Sequence, residues 1–144
     1  MFAPKKVLSV CSAILMILIL ASSAFAMKDQ YNYMNGDSLQ NALDQSAAIA
    51  IVDIQVADQF KAHHIKGAIQ TCAYPVKSSS DKAKLDAPIL DLKTGTQPVV
   101  VICPRGQGGA ERTVDYLNAN GIPSYRLFIL TDGQDGWKHA VESK

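Results

Sequence analysis

Nowhere in this chain do basic residues cluster with interleaved aromatics. Lysine and arginine number 14 against 13 acidic residues, and only 7% of residues are aromatic. A nucleic-acid interface needs a basic stripe for phosphates and aromatic faces for bases, so that partner class is excluded. Lys77 to Lys84 comes nearest, but it is Ser-rich and interrupted by Asp81, which suits a solvated loop and helix start. Histidine is scarce, with three in 144 residues. His63 and His64 are adjacent and do not easily converge on one ion, and no second pair is present to complete a metal site. Neither a metal nor a cofactor is implied. Repeats, long linkers and low-complexity tracts are also missing, which points to one compact domain.

The long apolar run lies at the start. Lys5 and Lys6 precede an uncharged stretch from Val7 to Leu20, and Ala24-Phe25-Ala26 follows. A basic start, an apolar core of this length and small residues around the junction predict a secretory signal over residues 1–26, cleaved before Met27. The alternative is an uncleaved anchor, since Val7 to Ala26 just reaches spanning length; the apolar core alone falls short of about 20 residues, which favours cleavage. A lipoprotein signal is excluded because Cys11 lies inside the apolar run, after Val10. Cleavage leaves 118 residues, 27–144, and moves the net charge from +1 to −1. The product is expected to be periplasmic or otherwise exported, touching a membrane only through an uncleaved N-terminal segment.

Of three cysteines, only Cys72 and Cys103 survive that cleavage. Exported proteins with two cysteines usually pair them, so a structural disulfide competes with any reading of either as reactive.

The mature chain alternates strand and helix patterns. Tyr31 to Met34 reads as a short strand, and Asp37 or Ser38 as the cap of a helix through about Gln45. Ala47 to Ile54 is an apolar run suited to a strand buried on both faces, with Asp53 near its end. Ala57 to Ala62 reads as a short helix, Gly67 to Thr71 as a strand, and Asp81 to Leu92 as a helix kinked or ended by Pro88. The Val99 to Ile102 run is a strand, Gly109 or Ala110 to Asn120 a helix stopped by Gly121, and Tyr125 to Leu130 a strand. Gly133 to Val141 closes the pattern as a helix carrying Trp137. Repeated β-then-α units of this length imply a parallel sheet with helices on both faces.

One segment carries chemistry. Val99-Val100-Val101-Ile102 runs straight into Cys103, and Pro104-Arg105-Gly106-Gln107-Gly108-Gly109-Ala110 leads into a helix. That order places a thiol at the carboxyl end of a buried strand, under backbone N–H groups and a helix N-terminus, where fixed dipoles favour a thiolate or an anion bound to it. Gly106, Gly108 and Gly109 let the backbone turn tightly. Arg105 reads as a clamp for an anionic substrate or, alternatively, as a solvated loop cation.

Ile51-Val52-Asp53-Ile54, then Phe60, then His64-Ile65-Lys66-Gly67-Ala68 resembles the first half of a rhodanese domain. The Cys103 loop resembles that family's persulfide-forming loop, and Asp132-Gly133 with Gly136-Trp137 its closing turn and tryptophan. The likeness runs from about Tyr31 to Ala140. It implies a three-layer α/β/α domain with a five-stranded parallel sheet in the order 3-2-4-5-1, and sulfurtransferase chemistry at Cys103. Asp53, His64 and Trp137 are then supports rather than proton carriers. In that sheet order the strands before Cys72 and Cys103 lie two steps apart, roughly 10 Å, which argues for a free Cys72.

Departures from the family pattern accompany the matches. Pro104 removes an N–H from the cradle, Gln55 stands where arginine is frequent, and Lys66 replaces a proline. No second arginine ends the loop, and the stretch to Gly121 is one residue longer than the commonest spacing. Related phosphatase and arsenate-reductase domains need Cys-x5-Arg; here that position is Gly109, and Arg112 lies three residues beyond. The favoured function is an exported sulfurtransferase that takes sulfur from thiosulfate or a related sulfane donor onto Cys103. The alternative is a non-turnover sulfur or selenium carrier for an envelope redox partner. The partners implied are a small sulfur-containing anion and a thiol or redox protein.

Overall fold

The computed structural model describes residues 31–144; the signal-peptide reading concerns residues outside that range. Five strands form one sheet: β1 (Asn32–Met34), β2 (Ala50–Asp53), β3 (Ile69–Gln70), β4 (Val99–Ile102) and β5 (Leu127–Leu130). Their order is β1-β5-β4-β2-β3, every pair parallel, which is the expected 3-2-4-5-1 order read from the other edge. β4 sits in the middle and all four of its residues are buried, as a β-branched run without polar alternation requires.

The pleat divides β4 between two cores. Val99 and Val101 face one side and pack with Leu85, Ile89 and Leu92 and with Val114 and Leu117. Those residues mark the layer that holds α4 (Asp86–Thr94) and α5 (Gly108–Ala119). Val100 and Ile102 face the other side, where Leu39 of α1 (Gly36–Asp44), Ile65 and the Trp137 ring complete a smaller core. The short helix α2 (Ala57–Ala62) joins β2 to the His64 turn.

Several elements differ from the sequence reading; Ser124–Arg126 is a 3-10 turn, so the last strand starts at Leu127 rather than Tyr125. The Asp81 to Leu92 helix is two: α3 (Ser79–Ala83) and α4. Asp81 is not an entry residue but the third position of a capping box, accepting from the N–H of Ser78 while Ser78 Oγ accepts from the N–H of Asp81. The break falls at Lys84–Leu85, where the ring and missing N–H of Pro88 bar a helical bond to the Lys84 carbonyl; Pro88 thus ends the first helix and sits in the first turn of α4, where no intrahelical N–H is needed. Asn35, rather than Asp37 or Ser38, caps α1, its side chain accepting from Ser38 N–H at 2.8 Å.

The largest difference is at the end. Gly133 to Val141 forms no helix: residues 131–136 are turns, with Asp132 and Gly133 both left-handed at φ +60° and +61°. Two successive left-handed residues interrupt a right-handed helix, and the following N–H groups are engaged elsewhere. Gln134 N–H donates to the Cys103 carbonyl at 2.8 Å and Asp135 N–H to the Pro104 carbonyl at 2.9 Å. Further on, Glu142 pairs antiparallel with His64 through two backbone hydrogen bonds.

Candidate active site

Cys103 follows the last residue of β4 and is 2% exposed. Its Sγ accepts a hydrogen bond from Gly106 N–H at 3.1 Å. Gly106 can make that turn because it is left-handed, at φ +65°, and lies flat against the 130s turn; a Cβ there would stand 2.6 Å from the Leu130 carbonyl oxygen and 2.8 Å from Asp132 N. The loop is thus fixed from outside by the turn and closed inside on the sulfur. The Pro104–Arg105 peptide is trans and gives its carbonyl to Asp135, so the Arg105 N–H points the opposite way. The Cys103–Pro104 peptide has only a carbonyl to offer, and Gln134 takes it.

The thiol opens on a cavity of about 100 Å³ lined by Tyr74, Cys103, Arg105, Gln107, Gly108, Gly109 and Arg112. Among the residues read as substrate-binding, Arg105, Gln107, Gly108 and Gly109 line it, and Gly106 reaches the sulfur through its backbone. Pro104 and Ala110 do not line it. The Pro104 carbonyl is turned outward, and Ala110 is fully buried in the larger core, its N–H donating to the Gln107 carbonyl at 2.7 Å.

Two lining residues escaped the sequence reading. Tyr74 comes from the segment after β3, and its ring packs where a side chain on Gly109 would be: a Cβ there would lie 3.0 and 3.1 Å from the ring edge. Arg112 comes from the second turn of α5. Its Nε and Nη2 both donate to the Pro75 carbonyl, at 3.0 and 2.8 Å, while Nη1 lies 2.9 Å from the place a Gly108 Cβ would take. A signal for Arg112 was available. Helical side chains lean toward the N-terminus, so a residue four beyond Gly108 covers the start of the helix. Tyr74 had none, because its place depends on a tertiary contact.

The support residues sit behind the cavity rather than in it. Asp53 is fully buried, with Oδ1 accepting from Gln55 N–H at 2.8 Å and Oδ2 from Gln55 Nε2 at 3.0 Å. Burial raises its pKa above the usual carboxylate range, and the two Gln55 bonds only partly oppose that. Gln55, standing where an arginine was expected, therefore satisfies Asp53 without an ion pair. His64 stacks on Phe60 with ring centroids 4.0 Å apart, and its Nδ1–H donates to the Phe60 carbonyl at 2.8 Å. Trp137 Nε1 donates to the Ala140 carbonyl at 3.1 Å. Cys72 and Cys103 are both unbridged; Cys72 is left-handed at φ +57°, with Sγ accepting from Gln70 Nε2 at 3.3 Å. Among the described residues no group of three or more metal-ligating side chains converges, and no helix is long and apolar enough to cross a membrane.

Solved structures of the same fold include a rhodanese-like domain protein from Staphylococcus aureus, 22% identical, covering 78% of this chain and 98% of its own, with a TM-score of 0.60. A thiosulfate sulfurtransferase from Pseudomonas aeruginosa is 24% identical over 78% of this chain and 20% of its own, with a TM-score of 0.59. A yeast protein tyrosine phosphatase of the rhodanese family is 18% identical over 74% of this chain and 83% of its own, with a TM-score of 0.57. At these identities the likeness is one of fold. No curated protein sequence matches the chain. The rhodanese-like domain model, however, matches residues 35–140, well over half the length, and on that match the chain belongs to the rhodanese-like family.

Proposed function

We propose that this protein is an exported sulfurtransferase that carries sulfur as a persulfide on Cys103. The supporting observation is the Cys103 cavity itself: a buried sulfur that accepts a backbone N–H, faced by two arginines. In the reaction the Cys103 thiolate attacks the outer sulfur of thiosulfate or a related sulfane donor. The bond between the two donor sulfurs breaks, its electron pair leaves with sulfite, and the enzyme keeps one sulfur as Cys–S–S⁻. A thiophilic acceptor, cyanide or a thiol, then takes that sulfur and regenerates the thiolate. Backbone N–H groups hold the persulfide charge, so the step requires no general base. Pairing with Arg105 attracts an anionic donor.

A non-turnover carrier of sulfur or selenium for an envelope redox partner is the second reading, and it uses the same loaded state. Both are tested by intact-mass analysis of the secreted protein before and after thiosulfate, followed by thiocyanate formation with cyanide. The expected results are a chain beginning at Met27, a gain of one sulfur that is lost in Cys103→Ser, and steady thiocyanate turnover. Loading without turnover selects the carrier, and thiocyanate formed by Cys103→Ser at the wild-type rate refutes both. Met1 retained in a membrane fraction refutes export as a soluble product.

A further inference from the structure

We propose that residues 137–144 form a pH-sensitive strap behind the 130s turn. The pairs His139–Asp37 and His64–Glu142 clip it, and it tightens when the histidines take up protons. The device belongs to the scaffold, so it stands whichever group Cys103 carries.

Only two side-chain ion pairs occur among the described residues, and each depends on a histidine. Both clip the same segment. His139 Nε2 lies 2.9 Å from Oδ1 of Asp37, in the first turn of α1, and His64 Nε2 lies 3.9 Å from Glu142 Oε2. The segment has few other ties. No residue from 135 to 144 is buried, although the Trp137 ring packs on the smaller core. Two backbone bonds join His64 and Glu142, the Lys144 N–H donates to the Lys61 carbonyl at 3.1 Å, and Trp137 Nε1 donates to the Ala140 carbonyl. Segments with so few buried contacts open locally at small cost. One exposed ion pair shifts such an opening equilibrium by about 1.5- to 5-fold, a change that local opening registers and global unfolding hides.

Protonation acts differently at the two clips. The Nδ1–H of His64 is committed to the Phe60 carbonyl at 2.8 Å, so the neutral ring turns a bare Nε2 toward Glu142. A proton there replaces a lone pair facing a carboxylate with a cation facing it. At His139 the proton makes the 2.9 Å contact a charge-assisted hydrogen bond. Neighbouring charges weigh on both rings. Asp37 and Asp132 favour a cationic His139, while Lys138 and the N-terminal pole of α1 oppose it; the Trp137 ring stands T-shaped to it at 5.0 Å. Glu142 and Asp53 favour a cationic His64. His63, Lys61 of α2 and the Lys144 ammonium, 5.3 Å from the Phe60 ring on which His64 stacks, oppose it. His64 is also buried, whereas the His139 side chain is 30% exposed, so His139 supplies the larger share. Histidine changes charge between about pH 5 and 8, where carboxylates ordinarily stay ionised. The closed strap is therefore favoured at the acidic end and loses that preference as pH rises through the range.

The strap continues the turn that holds the cysteine loop. Gln134 and Asp135 donate to the Cys103 and Pro104 carbonyls, and the Trp137 N–H donates back to the Gln134 carbonyl at 3.1 Å. The Trp137 ring in turn lies 3.6 Å from where a Cβ on Gly36 would stand, at the start of the helix that carries Asp37. Release of His139 from Asp37 thus reaches the turn through Trp137.

Hydrogen–deuterium exchange on the whole protein at about pH 5.5 and about pH 8 tests this, with protection corrected for the chemical exchange rate. The variants are Asp37→Asn, Glu142→Gln and the double variant, none of them in the Cys103 cavity. In the wild type, peptides over 137–144 should be about threefold or more better protected at the acidic pH, and peptides over 131–136 should follow them. Peptides over β4 should not change. The double variant should lose the difference between the two pH values, with Asp37→Asn removing the larger part. Removing the Asp37 charge from the first turn of α1 weakens that helix alike at both pH values, so it does not imitate the effect. Equal wild-type protection at the two pH values, or an undiminished difference in the double variant, overturns the proposal. So does a response confined to 137–144, since the strap would then not brace the turn, and so does one shared by β4, which would mark a change in global stability.

Discussion

Gly133→Ala places a methyl group against three backbone atoms of the cysteine loop. Gly133 lies thirty residues from the reactive cysteine in sequence, yet its Cβ would collide with the Cys103 carbonyl oxygen and stand 2.5 Å from Gly106 N and 2.6 Å from Arg105 N. None of these atoms is the end of a flexible side chain, so the cysteine loop itself has to move. A left-handed φ of +61° costs an L-residue about 1–2 kcal/mol, and overpacking against backbone adds about 1–3 kcal/mol. The total, about 2–5 kcal/mol, is a large part of a typical domain stability of about 5–15 kcal/mol. With a urea m-value of about 1–2 kcal/mol/M, the unfolding midpoint should fall by at least about 1 M. Gly67→Ala is the matched control: φ is +80° but nothing lies within 4 Å of its Cβ, so only the backbone cost of about 1–2 kcal/mol remains. Urea titration of both variants, with the rate of sulfur uptake by Cys103 in parallel, separates the terms. Gly133→Ala should lose more stability than Gly67→Ala and should load sulfur more slowly while still folded. Equal midpoints for the two variants, or an unchanged loading rate in Gly133→Ala, would refute the claim that the 130s turn holds the loop.

Gln134 follows in the same turn; it is 3% exposed, and neither polar atom of its side chain has a partner among the described residues. Gln134→Met keeps the volume and removes the unpaired amide, so it should raise stability by about 1–3 kcal/mol in urea titration, whereas a loss would show that a buried water bridges the amide. Burial holds Asp53 above its ordinary value of 3.8, so between that value and the raised native one the folded state binds the extra proton and stability falls as pH rises. Asp53→Asn should flatten that fall; identical slopes of urea midpoint against pH in the two proteins would refute it.

The fold was legible where burial dictated residue type. Val99 to Ile102 is apolar and β-branched because the central strand is covered on both faces, and that covering is visible in composition alone. Boundaries were less legible. The Ala47 to Ile54 run is apolar beyond β2, since Ile54 is buried and its N–H donates to Ile102 even though the strand ends at Asp53. Two helices differ from the sequence pattern for local reasons that compete with periodicity. Ser78 and Asp81 satisfy each other as a capping box, and the left-handed Asp132–Gly133 pair diverts the chain before a last helix can start.

The site divided along another line. Much of what the chain continuous with Cys103 contributes could be placed from sequence, because a strand end, a glycine loop and a helix start fix one another's geometry; Arg105, Gln107, Gly108 and Gly109 line the cavity, whereas Pro104 and Ala110, read with them, do not. What arrives from elsewhere could not. Tyr74 reaches the cavity across β2, whose neighbours on either side are β3 and β4, and no spacing rule encodes that approach. Arg112 is the intermediate case: its reach over Gly108 follows from helix geometry, but its anchoring on Pro75 depends on the same tertiary approach that brings Tyr74. The cavity wall and its second cation are therefore coupled through one segment, residues 74–75, packed against Gly109 on one side and tied to Arg112 on the other. Any change that shifts that segment moves both the wall and the charge of the site together, even though neither Cys103 nor its loop is touched.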